Sequence, residues 1–309
     1  MFTRNPHNPI LTGNDLPIAN SIFNPGATLL ADGRTALLVR VEDQRGLSCI
    51  FVARSANGVT NWVVDPQPML APDATQPPWE WGFEDARVVY LPERDRYAIT
   101  CTAYGSFGPS VYLALSRDLI SIEHGCVVMP PEDKNAALFP RRIGGQWLLL
   151  HRPVSSSTGN ADIWLSRSDD LESWRLPEQL MITRATGWWD SSRIGIGPPP
   201  IETAEGWILI YHGVRNTTAG ALYRVGAVLL DLDKPWIVRR RLPHWILGPT
   251  EPYERTGDVG NVVFPCGAIQ RTDTGLIDLY YGGADTVVCL ATCSEAELLA
   301  ELLASGSSK

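Results

Sequence analysis

The sequence has little of what marks membrane, secreted or nucleic-acid-binding chains. No run approaches the roughly 20 apolar residues needed to cross a bilayer. The first twenty residues are broken by prolines and polar side chains where an export signal needs an apolar stretch. A cytoplasmic location without a membrane partner is therefore expected. Basic residues are the minority, 26 against 34 acidic for a net charge of −8, and they form no dense stripe, so no nucleic-acid partner is expected. Any anion site has to be built locally. The six cysteines include no C-x-x-C pair and no Cys/His ligand spacing, which points to reduced thiols and no structural metal. A P-loop, a dinucleotide fingerprint and an H-E-x-x-H motif are also missing. Helical signals are scarce: one convincing segment, residues 294–304, opens with Ser294 and Glu297 at capping-box spacing.

What is present is a repeat. Five openings recur roughly 50 to 65 residues apart: FNPGATLL from Phe23, FEDARVVYL from Phe83, NAALFPRRI from Asn135, GPPPIET from Gly197 and NVVFPCGAI from Asn261. Each leads through a turn to a second apolar run and then a third. The runs are short, rich in β-branched and aromatic residues, and bounded by Gly, Pro, Asp or Asn, which is strand chemistry. Closing five such units radially removes long exposed sheet edges. The expected fold is all-β, a five-bladed β-propeller with a short C-terminal helix, a β-sandwich being the alternative. The whole chain, 1–309, is expected to be one catalytic domain, with residues 1–20 as an N-terminal arm. Arm and helix suit docking on the propeller or on a neighbouring subunit, so a homo-oligomer is compatible with the pattern.

In a propeller, first-strand starts and second-strand ends meet at one face. First-strand starts bring Asn24, Glu84, Asp85, Lys134, Asn135 and Asn261. Second-strand ends add Arg40 through Asp43 with Arg45, then Tyr104, His151 with Arg152, Tyr211 with His212, and Tyr280, Tyr281 and Asp285. Arg193 lies just before the fourth opening, and Tyr223 starts the strand that follows. Any one of these alone reads as a turn-former or a solvated strand end. Together they suggest chemistry. Asp85 is the only aspartate at an opening, near Trp79, Trp81 and Phe83, where burial would raise its pKa and suit it to general-acid work; a structural ion pair with Arg87 is the alternative. Lys134, Arg152, Arg193 and His212 come from units three and four and would converge on an anion. Tyr104, Tyr223, Tyr281 and the tryptophans offer flat faces of the kind that hold sugars. Glycosidases ordinarily need an acid and a partner carboxylate, whereas one acid facing a basic pocket suggests that phosphate attacks the anomeric carbon.

At this point the chain resembles the β-mannoside phosphorylases and β-mannosidases of glycoside hydrolase family 130. The resemblance rests on FNPGA, GFEDAR, DKNAALFPRR, LLLHRP, RIGIGPPPI, WILIYHGV, YRVGAVLLD, NVVFPCG and YYGGADT, in that order over nearly the whole chain. It implies that Asp85 is the general acid, passing its proton through the mannose 3-hydroxyl. It implies that Lys134, Arg152, Arg193, His212 and Tyr223 surround phosphate, and that Asn24, Arg45, Tyr104, Asn135, Asn261 and Asp285 hold the sugar. Glu84, beside the acid, is grouped with the sugar-holding set without a defined role. Arg193 stands where lysine is frequent, and Lys134 where arginine also occurs. The implied reaction is inverting phosphorolysis of a β-mannoside, of the β-1,2-manno-oligosaccharide or β-1,4-mannosyl-glucose or N-acetylglucosamine type, to α-mannose 1-phosphate. Phosphate is a co-substrate, and no other cofactor or metal is implied. A β-mannosidase would need a base from Glu84, Glu251 or Glu254; a sugar-binding propeller without activity is the third reading. The loops at 60–79 and 153–160 are expected to shape the acceptor side.

Overall fold

The structure is a computed structural model, and it describes residues 1–154, 159 and 161–306. The chain is all-β: among the described residues there are two α-helices, Pro252–Arg255 and Glu295–Ala304, and one 3₁₀ turn at Gly13–Asp15. The strands form five antiparallel meanders. The first contains Ala19–Leu29, Thr35–Asp43, Ser48–Ser55 and the two-residue Val63–Val64; the second contains Gly82–Leu91, Arg96–Tyr104, Ser110–Ser116 and His124–Met129. The third runs through Asp133–Leu138, Trp147–Pro153, Ile163–Ser168 and Arg175–Met181. The fourth has a split first strand, Arg193–Ile196 and Ile201–Thr203, followed by Gly206–Thr217, Gly220–Leu230 and Val238–Arg241. The fifth comprises Val263–Arg271, Leu276–Gly283 and Val287–Ser294. A single parallel bridge between Ser48 and Gly82 joins the first two meanders into one sheet.

Every meander has a fourth, outer strand that the three-run pattern does not show. Four of these follow in sequence, but the fifth comes from the amino terminus, where Thr3 and Arg4 pair with Thr292 and Ala291. The arm therefore packs on its own chain, with Asn5 and Ile10 donating to the carbonyls of Leu290 and Val288 at 2.9 Å. Arg4 anchors it further through Glu254, at 2.7 and 2.8 Å. The terminal helix also stays on its own chain. The Ser294 hydroxyl accepts from the Glu297 N–H, and Leu298 and Leu302, one turn apart on one face, are fully buried.

The core is layered between meanders. Because strand side chains alternate, Leu37, Val39 and Val41 pack toward the fifth meander while Ala36 and Leu38 pack toward the second. Similar apolar layers lie between the second and third, the third and fourth, and the fourth and fifth. Each meander is thus apolar on both faces, which explains why its inner strands read as continuous hydrophobic runs.

Candidate active site

The inner strands share a local device. In the first, second and third meanders the first strand carries one extra residue, with the register slipping between Phe23 and Gly26, Glu84 and Arg87, and Lys134 and Ala137. At each bulge sits an Asn or Asp in the left-handed region: Asn24 at φ 45°, Asp85 at 52° and Asn135 at 55°. These residue types tolerate that conformation better than other side-chain-bearing residues, and a bulge re-aims its side chain. Asp285, beyond the second strand of the fifth meander, shares the conformation at φ 49°. Asn24, Asp85, Asn135 and Asp285 all line one cavity of about 170 Å³.

One wall of that cavity is acidic and is organised by Arg40. Its guanidinium lies 3.1 Å from Glu84, 3.1 Å from Glu42 and 3.5 Å from Asp85, while the Asn24 amide donates to Asp85 at 2.9 Å. Burial pushes the Asp85 carboxyl upward, but Arg40, Arg87, the Asn24 hydrogen bond and Lys134 together outweigh it and hold the group below the usual carboxylate range. The expectation of a raised pKa is corrected here: Trp79 and Phe83 stack in the core instead of around the carboxyl. The raised group is Asp285, pushed up to about 7 by burial and then by Asp85, against the pull of Arg40. The ion pair with Arg87 is also replaced. Arg87 donates to the carbonyls of Asp85, Ile196 and Gly197 at 2.6, 3.0 and 3.2 Å, tying the second meander to the fourth.

The opposite wall is basic. Lys134 and Arg152 face each other across the ladder of the third meander, and Arg193 and His212 come from the fourth. With its oxygen turned to the guanidinium, the Asn135 amide accepts from Arg152 Nη2 and Nε at 3.1 and 3.2 Å. The Arg193 guanidinium lies 5.5 Å over the Tyr223 ring. Among the described residues none of the three cations makes an ion pair, and Arg193 Nε and His212 Nδ1 are buried without a hydrogen-bond partner. The cluster resists its own charge: burial and the neighbouring Arg193 push Arg152 down to about 10. Burial, then Arg152, Arg87, Arg193 and Lys134, push His212 well below its usual value, so its imidazole is neutral. Buried cations without counter-charge are costly, and an oxyanion between them would relieve that cost through charge-assisted hydrogen bonds. Among the described residues no cluster of three His, Cys, Asp or Glu side chains could hold a metal.

Ten of the thirteen residues expected at the site line this cavity: Asn24, Glu84, Asp85, Lys134, Asn135, Arg152, Arg193, His212, Tyr223 and Asp285. Three do not. Arg45 lies in an exposed turn and pairs with Asp43 at 2.7 Å. Tyr104 is 38% exposed, with its ring 5.2 Å from Trp81. Asn261 contributes its carbonyl, which accepts from the Tyr223 N–H at 3.1 Å. Tyr281 is fully buried and donates to Glu254 at 2.7 Å. Arg40, Val262 and Phe264 complete the lining. Arg40 stands at a second-strand end in sequence, and the register gives it the place of Arg152: it lies two positions beyond Leu38, the partner of the residue after the bulge, as Arg152 lies two beyond Leu150. Of the loop at 153–160, only Pro153, Val154 and Gly159 lie among the described residues.

A family model described as β-1,4-mannooligosaccharide phosphorylase, of glycoside hydrolase family 130, matches residues 3–303. The chain belongs to that family. It is 36% identical over 292 residues to a β-1,4-mannooligosaccharide phosphorylase of Ruminococcus albus, covering 92% of this chain and 85% of that protein. It is 40% identical over 256 residues to a β-1,2-mannobiose phosphorylase of Listeria innocua, covering 83% and 69%. A solved structure of a Listeria innocua β-1,2-mannobiose phosphorylase in complex with β-1,2-mannobiose superposes with a TM-score of 0.88 at 32% identity, covering 98% of this chain and 99% of the other. The residues matched by the family model, 3–303, include those of both walls of the cavity.

Proposed function

We propose that the protein is an inverting β-mannoside phosphorylase. The observation that carries this reading is the cluster of Lys134, Arg152 and Arg193, without ion-pair partners among the described residues, across one cavity from Asp85. Phosphate held by that cluster, with His212 and Tyr223 beside it, would attack the anomeric carbon as the glycosidic bond breaks. The departing oxygen takes the proton that Asp85 supplies through the mannose 3-hydroxyl, and the products are α-mannose 1-phosphate and the shortened acceptor. Asn24, Asn135 and Asp285 would hold the sugar between the walls, with Arg40 fixing the carboxylates. Phosphate also addresses the low Asp85 pKa, because its negative charge offsets the cations that lower it. Bound phosphate would therefore help Asp85 take up the proton it must deliver.

Two of the carboxylates that could serve hydrolysis as a base are engaged elsewhere. Glu254 is fully buried and accepts from Arg4, Tyr281 and the N–H groups of Thr250 and Glu251, and Glu84 pairs with Arg40 on the acid's own wall. The same reading takes the five meanders as blades of one closed propeller domain spanning the chain. Its support is the apolar layer between every neighbouring pair, the fifth and first included, together with the amino-terminal strand that completes the last sheet. A cytoplasmic location is part of the proposal, in keeping with six free cysteines and no helix, among the described residues, long and apolar enough to cross a membrane.

The test is incubation with β-1,2- and β-1,4-linked mannosides, with and without phosphate. Phosphate-dependent release of mannose 1-phosphate is expected, and the linkage that turns over names the acceptor class. Free mannose formed equally in both conditions would overturn phosphorolysis, and no turnover across linkages would favour a binding protein.

A further inference from the structure

Behind the basic wall lies a buried polar chain that the proposed reaction does not use. His151 Nδ1 is 2.6 Å from Asp133 Oδ2, and His151 Nε2 is 2.9 Å from Ser166 Oγ. The second oxygen of Asp133 accepts from the backbone N–H of Arg152 at 3.1 Å. Asp133, His151 and Ser166 are 4%, 4% and 2% exposed, and none lines the cavity. Their acid–imidazole–hydroxyl order is therefore not a nucleophilic triad, since no reactant reaches Ser166.

The three residues come from three successive strands of the third meander. Asp133 and His151 immediately precede Lys134 and Arg152, and successive strand side chains point to opposite faces. The polar chain thus lies on the reverse of the surface that presents the two cations. Lys134 and Arg152 are opposite one another in register, but the ladder slips directly beyond them at the bulge. Backbone pairing steadies this pair poorly on that side. On the other side the Asp133 carboxylate bonds both the Arg152 backbone and His151, and Ser166 ties the imidazole to the third strand.

We propose that Asp133, His151 and Ser166 form a positioning strut that sets the spacing of Lys134 and Arg152 and thereby the affinity for phosphate. This rests on reading the cavity as a phosphate site. The strut acts by geometry, so an amide can replace the acid. In Asp133→Asn the amide oxygen would accept from the Arg152 N–H while the amide nitrogen donates to an unprotonated His151 Nδ1, the opposite tautomer then donating to Ser166.

The experiment measures KM for phosphate and for the mannoside, and the rise in thermal midpoint that inorganic phosphate gives the intact protein, which reports anion binding without turnover. Asp133→Leu and His151→Phe are expected to raise the phosphate KM roughly tenfold and to shrink the thermal upshift, with the mannoside KM within about twofold of wild type. Asp133→Asn is expected to behave nearly as wild type, and Ser166→Ala to raise the phosphate KM about threefold. An unchanged phosphate KM in Asp133→Leu, parallel increases in both KM values, or an Asp133→Asn protein as impaired as Asp133→Leu would overturn the strut. If the larger substitutions do not fold, Ser166→Ala decides, and no change in its phosphate KM or upshift overturns the proposal. Wild-type protein that gains stability from phosphate but makes no mannose 1-phosphate sinks the phosphorylase reading while the upshift still tests the strut. No upshift in wild type leaves the strut without an anion site to serve and overturns it.

Discussion

Arg40 holds the acidic wall together, touching three carboxylates at 3.1–3.5 Å. Asp85→Asn keeps the side-chain shape beside Arg40 and Asn24 but removes the transferable proton. Turnover is expected to fall by about 10²–10⁴, with the thermal midpoint shifted by only a few degrees; a fully active variant would remove Asp85 from the chemistry. Asp285 makes a separate prediction about stability. Its carboxyl is raised from 3.8 to about 7, so between those values the folded state holds a proton that the unfolded chain releases, and stability falls as pH rises through that window. Asp285→Asn removes this loss. Its thermal midpoint, relative to wild type, is expected to be higher at pH 8 than at pH 5, and a difference independent of pH would contradict the assignment. Asp85 was legible in sequence as the lone aspartate at an opening. The direction of its pKa was not, because Trp79 and Phe83, just before it in sequence, stack on each other in the core, while Arg40 and Lys134, which help to lower it, come from other meanders.

At the level of elements, a small residue lets the third and fourth meanders approach beside the cations. A Cβ on Gly195 would meet His212 Cε1 at 2.5 Å and the Asn135 side-chain amide at 2.8 Å. Gly195→Ala should therefore displace both and raise the phosphate KM by about tenfold or more while leaving the fold intact; unchanged phosphate kinetics would show that the imidazole does not need its place. The inner strands were readable because both faces are apolar and turn residues punctuate them. The outer strands were not. Arg175–Met181 is mostly exposed, Val238–Arg241 carries three arginines, and the fifth outer strand is two residues at the far end of the chain, which no local pattern connects to residues 291–292. The left-handed Asn and Asp positions were visible as recurring polar openings, but their bulges appear only in the register of paired strands.

For the whole molecule, the joint between the two ends of the chain is the point of vulnerability. Arg4 bonds a fully buried Glu254, which also receives Tyr281 and two backbone N–H groups. Arg4→Ala would leave that carboxylate buried without its cation, a loss of about 3–5 kcal/mol, seen in calorimetry as a fall in thermal midpoint on the order of 10 °C. A shift of a degree or less would mean that the amino-terminal strand contributes little to holding the last sheet. The larger asymmetry, carboxylates on one wall and, on the other, cations without ion-pair partners among the described residues, is the basis for assigning phosphate as the nucleophile. It is tested most directly by following one reaction with ¹H and ³¹P nuclear magnetic resonance as a β-linked manno-oligosaccharide is consumed in phosphate buffer. α-Mannose 1-phosphate is expected as the first product, with one phosphate consumed for each glycosidic bond broken. Free mannose appearing first, with the phosphate signal unchanged, would contradict it.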